Sequence, residues 1–253
     1  MAAETAPSAI ALVPARAGSK RVPDKNVRLL SGHPVLAYTI AAARESGVFA
    51  AVVVSTDAEE YGEIARHYGA EVPFTRPPEI AGDLSPDIEW VDYTLTKLRA
   101  QGRVYDCFSI LRPTSPFRQA DTIRRAWNQF LSEEGVDSLR AVEKCKQHPG
   151  KMWVVQQNRM TPLLPLTPGE LPWHSRQYQS LPEIFVQNAS LEIAWSRVVF
   201  ESRSISGTVL MPFFTEGYEG FDINDPIDWR RAQDMVETGD AHLPHVSQSR
   251  YPA

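Results

Sequence analysis

A chain of 253 residues is long enough to bury a substantial core, and with 43% hydrophobic and 23% charged residues it has the composition of an ordinary globular protein. A formal net charge of −5 excludes general affinity for nucleic acid or for an anionic membrane surface. No stretch approaches the roughly 18 apolar residues of a membrane span.

The first 145 residues alternate short apolar runs with amphipathic patterns. Ile10–Val13 reads as a strand, and Pro34–Ser46 as a helix with Leu36, Ile40 and Ala43 on one face. Ala51–Ser55 is a second strand, Ala58–Tyr68 a helix stopped by Gly69, and Glu71–Thr75 a short strand. Ser85 reads as the N-cap of a helix from Pro86 to about Gln101, with Ile88, Val91, Leu95 and Leu98 inward. Tyr105–Leu111 follows as a strand, Asp121–Leu131 as a helix and Ser138–Val142 as a strand. Strands separated by helices of this length imply parallel pairing with right-handed crossovers, and runs apolar throughout imply cover on both faces. The expected fold is therefore a three-layer α/β sandwich.

The pattern changes near His148. "MWVVQQNRMTPLLPL" reads as a hairpin turning at Gln157-Asn158, and a Pro-rich stretch of little periodicity follows. The α/β pattern resumes with strands at Gln187–Trp195 and Thr208–Pro212 and a closing helix at Pro226–Glu237. The chain thus reads as one domain with an insertion at about 148–184. Trp153, Leu163, Leu164, Leu166 and Trp173 in that insertion need cover, from their own domain or, the reading favoured here, from a second subunit. The tail from Asp240 is polar and reads as loosely held. The two cysteines, Cys107 and Cys145, have no second thiol at metal or redox spacing. With no signal-like apolar core in Met1–Ser8, this places the protein in the cytoplasm.

One stretch carries chemistry. "VPARAGSKRVPDKN", Val13 to Asn26, follows the first strand directly and holds four Lys or Arg in fourteen residues. In open α/β sheets ligands sit beyond the carboxyl ends of strands. Small residues (Ala15, Ala17, Gly18, Ser19) let backbone N–H groups approach phosphate oxygens, and Arg16, Lys20, Arg21 and Lys25 supply charge. The loop matches neither a Walker A sequence nor GxGxxG. On chemistry alone it is either a nucleotide phosphate site or a solvated basic loop.

The wording of this loop resembles the signature of the acylneuraminate cytidylyltransferases, also called CMP-sialate synthetases. The resemblance continues at "VVVSTDAEEYGEIARHYGAEVPFTRPPEIAGD", "LRPTSPFR", "LPEIFVQNASLEI" and "GFDINDPIDW", in family order over about residues 9 to 238. It implies a Rossmann-like nucleotidyltransferase fold with a mostly parallel sheet and a protruding dimerisation arm, hence a homodimer. It implies CTP and a 2-keto-3-deoxy sugar acid, sialic acid or a related nonulosonate, as substrates, with pyrophosphate released. Catalysis then rests on alignment and charge neutralisation with help from Mg²⁺ or another divalent cation.

By the same resemblance Arg16, Gly18, Ser19, Lys20 and Lys25 hold the triphosphate, while Asn26, Arg76 and Asp83 lie near the nucleoside. Arg76 also reads, as the lesser alternative, as a surface arginine beside the Pro77-Pro78 turn. Asp222 is the expected metal ligand. The family's second carboxylate is Asn224 here, which can ligate through its carbonyl with one less charge. Asn224-Asp225 also reads as the cap of the helix opening at Pro226. On the acceptor side Arg112 replaces a Gln usual in the family and could pair with a carboxylate, phosphate or phosphonate. Lys151, Arg176, Gln187 and Asn188 complete the expected acceptor set. Arg112 and Asn224 keep two alternatives open: transfer to another acceptor or from GTP, and a catalytically silent nucleotide-binding protein.

Overall fold

The apolar run ahead of the basic loop is a strand, β1 (Ala9–Pro14), in the computed structural model, which describes residues 6–165 and 169–252. After the loop, β2 (Leu29–Leu30) and β3 (His33–Pro34) form a minimal hairpin that runs into α1 (Val35–Ser46). Then come β4 (Ala51–Ser55), α2 (Glu59–His67), α3 (Asp87–Ala100), β5 (Cys107–Ile110), α4 (Ala120–Ser132) and β6 (Ser138–Lys144). A hairpin of β7 (Trp153–Gln156) and β8 (Arg159–Pro162) precedes β9 (Phe185–Trp195), α5 (Arg197–Ser202), β10 (Leu210–Phe214) and α6 (Pro226–Thr238).

The central sheet runs β10-β6-β9-β5-β1-β4. β1 pairs in parallel with β4 and with β5, so their carboxyl ends share one edge. Successive residues of β1 feed two cores. Ala9, Ala11 and Val13 pack with Leu36 and Ile40 of α1 and Ile123, Ala126 and Phe130 of α4. Ile10 and Leu12 pack with Trp90, Val91 and Leu98 of α3 and Val198 and Val199 of α5. That two-sided burial makes the three layers, and it explains a strand with no polar alternation. α6 is fixed at both ends. The Asp225 carboxylate accepts from the N–H groups of Ile227 and Asp228, Pro226 starts the helix, and Gly239 at φ 79° ends it.

Four expectations need correction. β9 is antiparallel to β5, with Cys107 opposite Trp195 and Ile110 opposite Glu192. It is antiparallel to β6 as well, through Trp195 N–H to Asp137 O at one end and Cys145 N–H to Ile184 O at the other. The inference of parallel pairing assumed a helical crossover, and β6 and β9 are joined instead by the segment containing the β7–β8 hairpin. Glu71–Thr75 forms no strand, only a single parallel bridge from Glu71 to Val53. Ser85 does not cap α3; Pro86 is the cap position, and the Ser85 hydroxyl reaches back toward Glu79 O at 3.5 Å. The tail is tied down: Gln119 Nε2 donates to His242 O (2.6 Å), His67 Nε2 meets Ser249 O (2.8 Å) and Tyr251 N–H donates to Tyr68 Oη (3.1 Å). α5, absent from the sequence reading, is a single short helix of six residues.

The chain divides into two compact units, Met1–Ala141 with Asn188–Ala253, and Val142–Gln187. In the second unit β7 and β8 pair from Trp153–Pro162 to Gln156–Arg159, closed by Gln157 at φ 53°. The Trp153 ring lies 4.6 Å from that of His174, and His148 Nε2 meets Pro182 O at 3.1 Å. Val155, Met160 and Leu171 remain exposed in this unit, at 66%, 54% and 61%. Leu166 lies outside the described residues.

Candidate active site

Beyond the shared carboxyl edge of β1, β4 and β5, a cleft of about 320 Å³ opens in the first unit. Arg16, Ser19, Lys25, Asn26, Arg76 and Asp83 line it, facing Arg112 and Thr114 from the loop after β5 and Asp222 and Asn224 from the turn before α6. Residues from four separate stretches of chain thus meet where the sequence placed one loop.

The basic loop is held by one of its own side chains and by one from beyond β4. Asn26 Nδ2 donates to Arg16 O (3.1 Å), tying the two ends together, and Ala17 N–H donates to Asp57 Oδ1 (2.7 Å) just past β4. Gly18 sits at φ +75°, a conformation that L side chains rarely adopt, with no atom within 4 Å of where a Cβ would project. The loop therefore leaves open space beside bare backbone. Asp83 takes up both neighbouring cations, Arg16 at 2.6 Å and the well-exposed Lys20 at 2.5 Å. Those two bonds, Lys20 first, hold the Asp83 carboxyl below the usual carboxylate range.

Lys25 connects the loop to the opposite wall, its Nζ donating to Ile223 O at 2.7 Å. Burial pushes its pKa below that of an ordinary lysine despite the opposing pull of Asp222. Ile223 N–H in turn donates to Thr114 O (2.8 Å), so the turn carrying Asp222 is fixed from both sides. Asp222 Oδ2 accepts from Asn224 Nδ2 (2.7 Å), while Asp222 Oδ1 is buried with no partner. Among the described residues no cluster of three or more His, Cys, Asp or Glu side chains is placed to hold a metal. A cation here would therefore take one carboxylate oxygen, with Asn224 beside it and the rest of its shell from outside the protein, which suits Mg²⁺.

Arg76 is a buried wall residue and not the surface arginine its setting beside Pro77-Pro78 also allowed. It is 4% exposed, bonds Ser55 Oγ (3.0 Å) and Ser55 O (2.9 Å), and lies 4.9 Å over the Trp90 ring. Burial lowers its pKa to about 10, so it stays charged at neutral pH. Arg112 Nη2 bonds two carboxylates, Asp87 Oδ2 (2.5 Å) and Glu192 Oε1 (3.0 Å). Burial alone would raise the Asp87 carboxyl; Arg112, with Trp90 Nε1 and Arg76, more than offsets it and holds it low.

Of the other expected acceptor residues, Asn188 belongs to the same unit as this cleft and does not line it. Asn188 is engaged in its own unit, donating to Thr215 Oγ1 (2.9 Å) and accepting from Ser190 N–H (3.1 Å). Gln187 is exposed on β9. In the second unit Lys151 Nζ donates to the carbonyls of His174 (3.1 Å) and Arg176 (2.7 Å), and Arg176 bonds Leu171 O (2.7 Å) and Glu170 Oε2 (3.0 Å). Sequence reasoning missed Asp57, Asp87 and Glu192. Asp57 alone carried a usable signal, because it follows a buried strand at the same sheet edge as the basic loop.

A largely parallel α/β sheet, a basic glycine-containing loop past its first strand and an unpartnered carboxylate oxygen across one cleft define a nucleotidyltransferase. The family described as Cytidylyltransferase matches residues 10–158. CMP-N,N'-diacetyllegionaminic acid synthase of Legionella pneumophila is 34% identical over 231 residues, covering 90% of this chain and 96% of that protein. N-acylneuraminate cytidylyltransferase of Escherichia coli is 30% identical over 223 residues, covering 88% of this chain but 51% of that protein. Among solved structures, CMP:2-keto-3-deoxy-manno-octonic acid synthetase complexed with CTP superposes with a TM-score of 0.66 over 92% of this chain and 99% of that one, at 12% identity, a likeness of fold. The chain belongs to the cytidylyltransferase family, which carries the cytidine reading of the sequence and not its GTP alternative. Among the described residues no helix is long and apolar enough to cross a membrane.

Proposed function

We propose that this cytidylyltransferase moves CMP from CTP to the anomeric hydroxyl of a 2-keto-3-deoxy sugar acid of the nonulosonate class. The acceptor hydroxyl oxygen bonds to the α-phosphorus and its proton passes to solvent, the bond from the α-phosphorus to the α–β bridging oxygen breaks, and that electron pair leaves with pyrophosphate. The observation that carries this reading is one cleft bringing Arg16, Ser19 and Lys25 opposite Asp222 Oδ1, a buried anionic oxygen with no protein partner. The two relatives described above support the acceptor class, since the names of both specify nonulosonic acids.

Arg16, Ser19, Lys20 and the open backbone at Gly18 receive the triphosphate, with Asp83 releasing the two cations it holds. Lys25 bridges the phosphates and the Asp222 turn. Asn26 keeps the loop closed, and Arg76 and Asp83 border the nucleoside. Asp222, with Asn224 beside it, would hold a divalent cation, whose chemistry is to withdraw negative charge from the phosphates as the bond to pyrophosphate breaks. Arg112 borders the acceptor; Lys151, Arg176, Gln187 and Asn188 remain proposed acceptor contacts on the resemblance of their motifs. The second unit's exposed Val155, Met160 and Leu171 favour a homodimer, with Val142–Gln187 as the element that pairs. A cytoplasmic enzyme fits a substrate set of CTP and a free sugar acid.

Pyrophosphate release from CTP, Mg²⁺ and a panel of nonulosonic acids tests this, alongside melting shifts with CTP, GTP, UTP and ATP. The expected result is turnover with at least one acid and the largest shift with CTP. No turnover with any acid and no CTP shift would overturn it.

A further inference from the structure

Arg112 enters the cleft already committed. Its Nη2 bridges Asp87, the first residue of α3, and Glu192, in the middle of β9. Glu192 shares its strand face with Ala194, which packs in the core under α3, so Glu192 lies on the same side of the sheet as Asp87. Its second oxygen pairs with Arg140 of the neighbouring strand β6. The Glu192 side chain is 4% exposed and that of Arg140 11%, whereas Arg112 and Asp87 keep 28% and 29% and both line the cleft. Two arginines and two carboxylates close the bonded network, whose own formal charge is zero, while Arg76 on the cleft wall acts on Asp87 through space.

A buried glutamate between two arginines is hard to displace, because removing either partner leaves a charge stranded away from water. An anion arriving at Arg112 would meet a guanidinium already neutralised, flanked by two carboxylates that repel it. A neutral polar group meets something different: guanidinium N–H donors and the Asp87 acceptor side by side. We propose that Glu192 is a specificity-determining residue: by capping Arg112 from below it makes this wall of the cleft select a neutral hydroxyl or amide substituent of the acceptor and reject a second anionic group. This rests on the cytidylyl-transfer reading above, and it narrows the acceptor to a sugar acid whose only anion is its own carboxylate.

The test uses methylphosphonate, a small anion that is mostly singly charged at neutral pH, as competitor of the acceptor at saturating CTP, so that the phosphate loop is already occupied. The purified full-length enzyme should turn over its acceptor and show weak competition. Glu192→Gln changes the network's charge by one, and competition by methylphosphonate should tighten at least about tenfold, the size of one charge on another at roughly 12 Å in an effective dielectric near 20, an outer bound for an anion seated on Arg112. Asp87→Asn reaches the same charge through a more exposed residue and should tighten competition likewise, which keeps the test decisive if Glu192→Gln fails to fold. Glu192→Leu combined with Arg140→Leu restores neutrality and should return competition to the parental value. Unchanged competition in Asp87→Asn and Glu192→Gln, or tight competition in the parent enzyme, would overturn the proposal. A parent with no turnover on any sugar acid would instead remove the transfer reading, a separate outcome.

Discussion

Replacing Lys25 with Met keeps the length and apolar stem of the side chain and deletes its charge. In the free protein the ammonium donates to Ile223 O at 2.7 Å, and burial disfavours its charge. The two effects oppose, so folding stability should move by no more than about 1 kcal/mol, or about 2–4 °C in Tm for a chain of this size. Against a triphosphate the balance is different, because phosphate offers the ammonium an anionic oxygen where the free protein offers a neutral carbonyl. A hydrogen bond to a charged group contributes about 1.5–3 kcal/mol, which predicts a loss of about 10- to 150-fold in kcat/KM for CTP. Lys25→Arg should not restore it, since a planar fork does not replace a point charge at Ile223 O. There is also a pH signature. Only protonated Lys25 attracts phosphate, and its pKa is depressed, so CTP affinity should fall at a lower alkaline pH than an ordinary lysine would give. Isothermal titration with CTP and steady-state pyrophosphate release measure both. A Lys25→Met enzyme within threefold of the parent in kcat/KM would refute the placement of the triphosphate.

Asp222→Asn should leave metal-free CTP binding within a few-fold while lowering kcat at least about 100-fold, the scale of losing a group that offsets transition-state charge; equal kcat at saturating Mg²⁺ would count against it. Asn224→Asp adds a carboxylate beside Asp222 and should lower the Mg²⁺ concentration for half-maximal activity, read from a titration at fixed CTP. Asp87 and Asp225 have folded pKa values below those of the unfolded chain. Their stabilisation is present above the unfolded value of ~3.9 and is lost as pH falls through the lower folded values, so urea midpoints should drop as pH falls below about 4. Asp225→Asn should flatten part of that slope. Sedimentation over a hundredfold concentration range should give a dimer that Val155→Glu with Met160→Glu converts to monomer.

The strands and helices that carry the phosphate loop were legible because local chemistry sets them. Ala51–Ser55 is buried on both faces and reads as an unbroken apolar run. The direction of β9 was not legible, since no residue within it records whether the chain returned by a helix or by some other route. The cleft was half legible. Arg16 to Asn26 announce themselves as one loop, and the Asp222–Asn224 turn precedes a well-marked helix start. The Arg112 network does not, because its members are separated by 25, 80 and 52 residues and meet only through sheet order. Glu192 looks, in sequence, like one polar interruption of an apolar strand. Only the placement of β9 between β5 and β6 sets it against two arginines.

The bridge from Asp83 to Arg16 and Lys20 changes what nucleotide capture means for this protein. The loop does not wait with bare positive charge for a polyanion to fall into it. Capture is a trade of counter-ions, one carboxylate given up for several phosphate oxygens, so fewer small ions leave than the number of cations suggests. Its affinity should therefore fade more gently with rising salt than that of an equally basic loop with nothing to surrender.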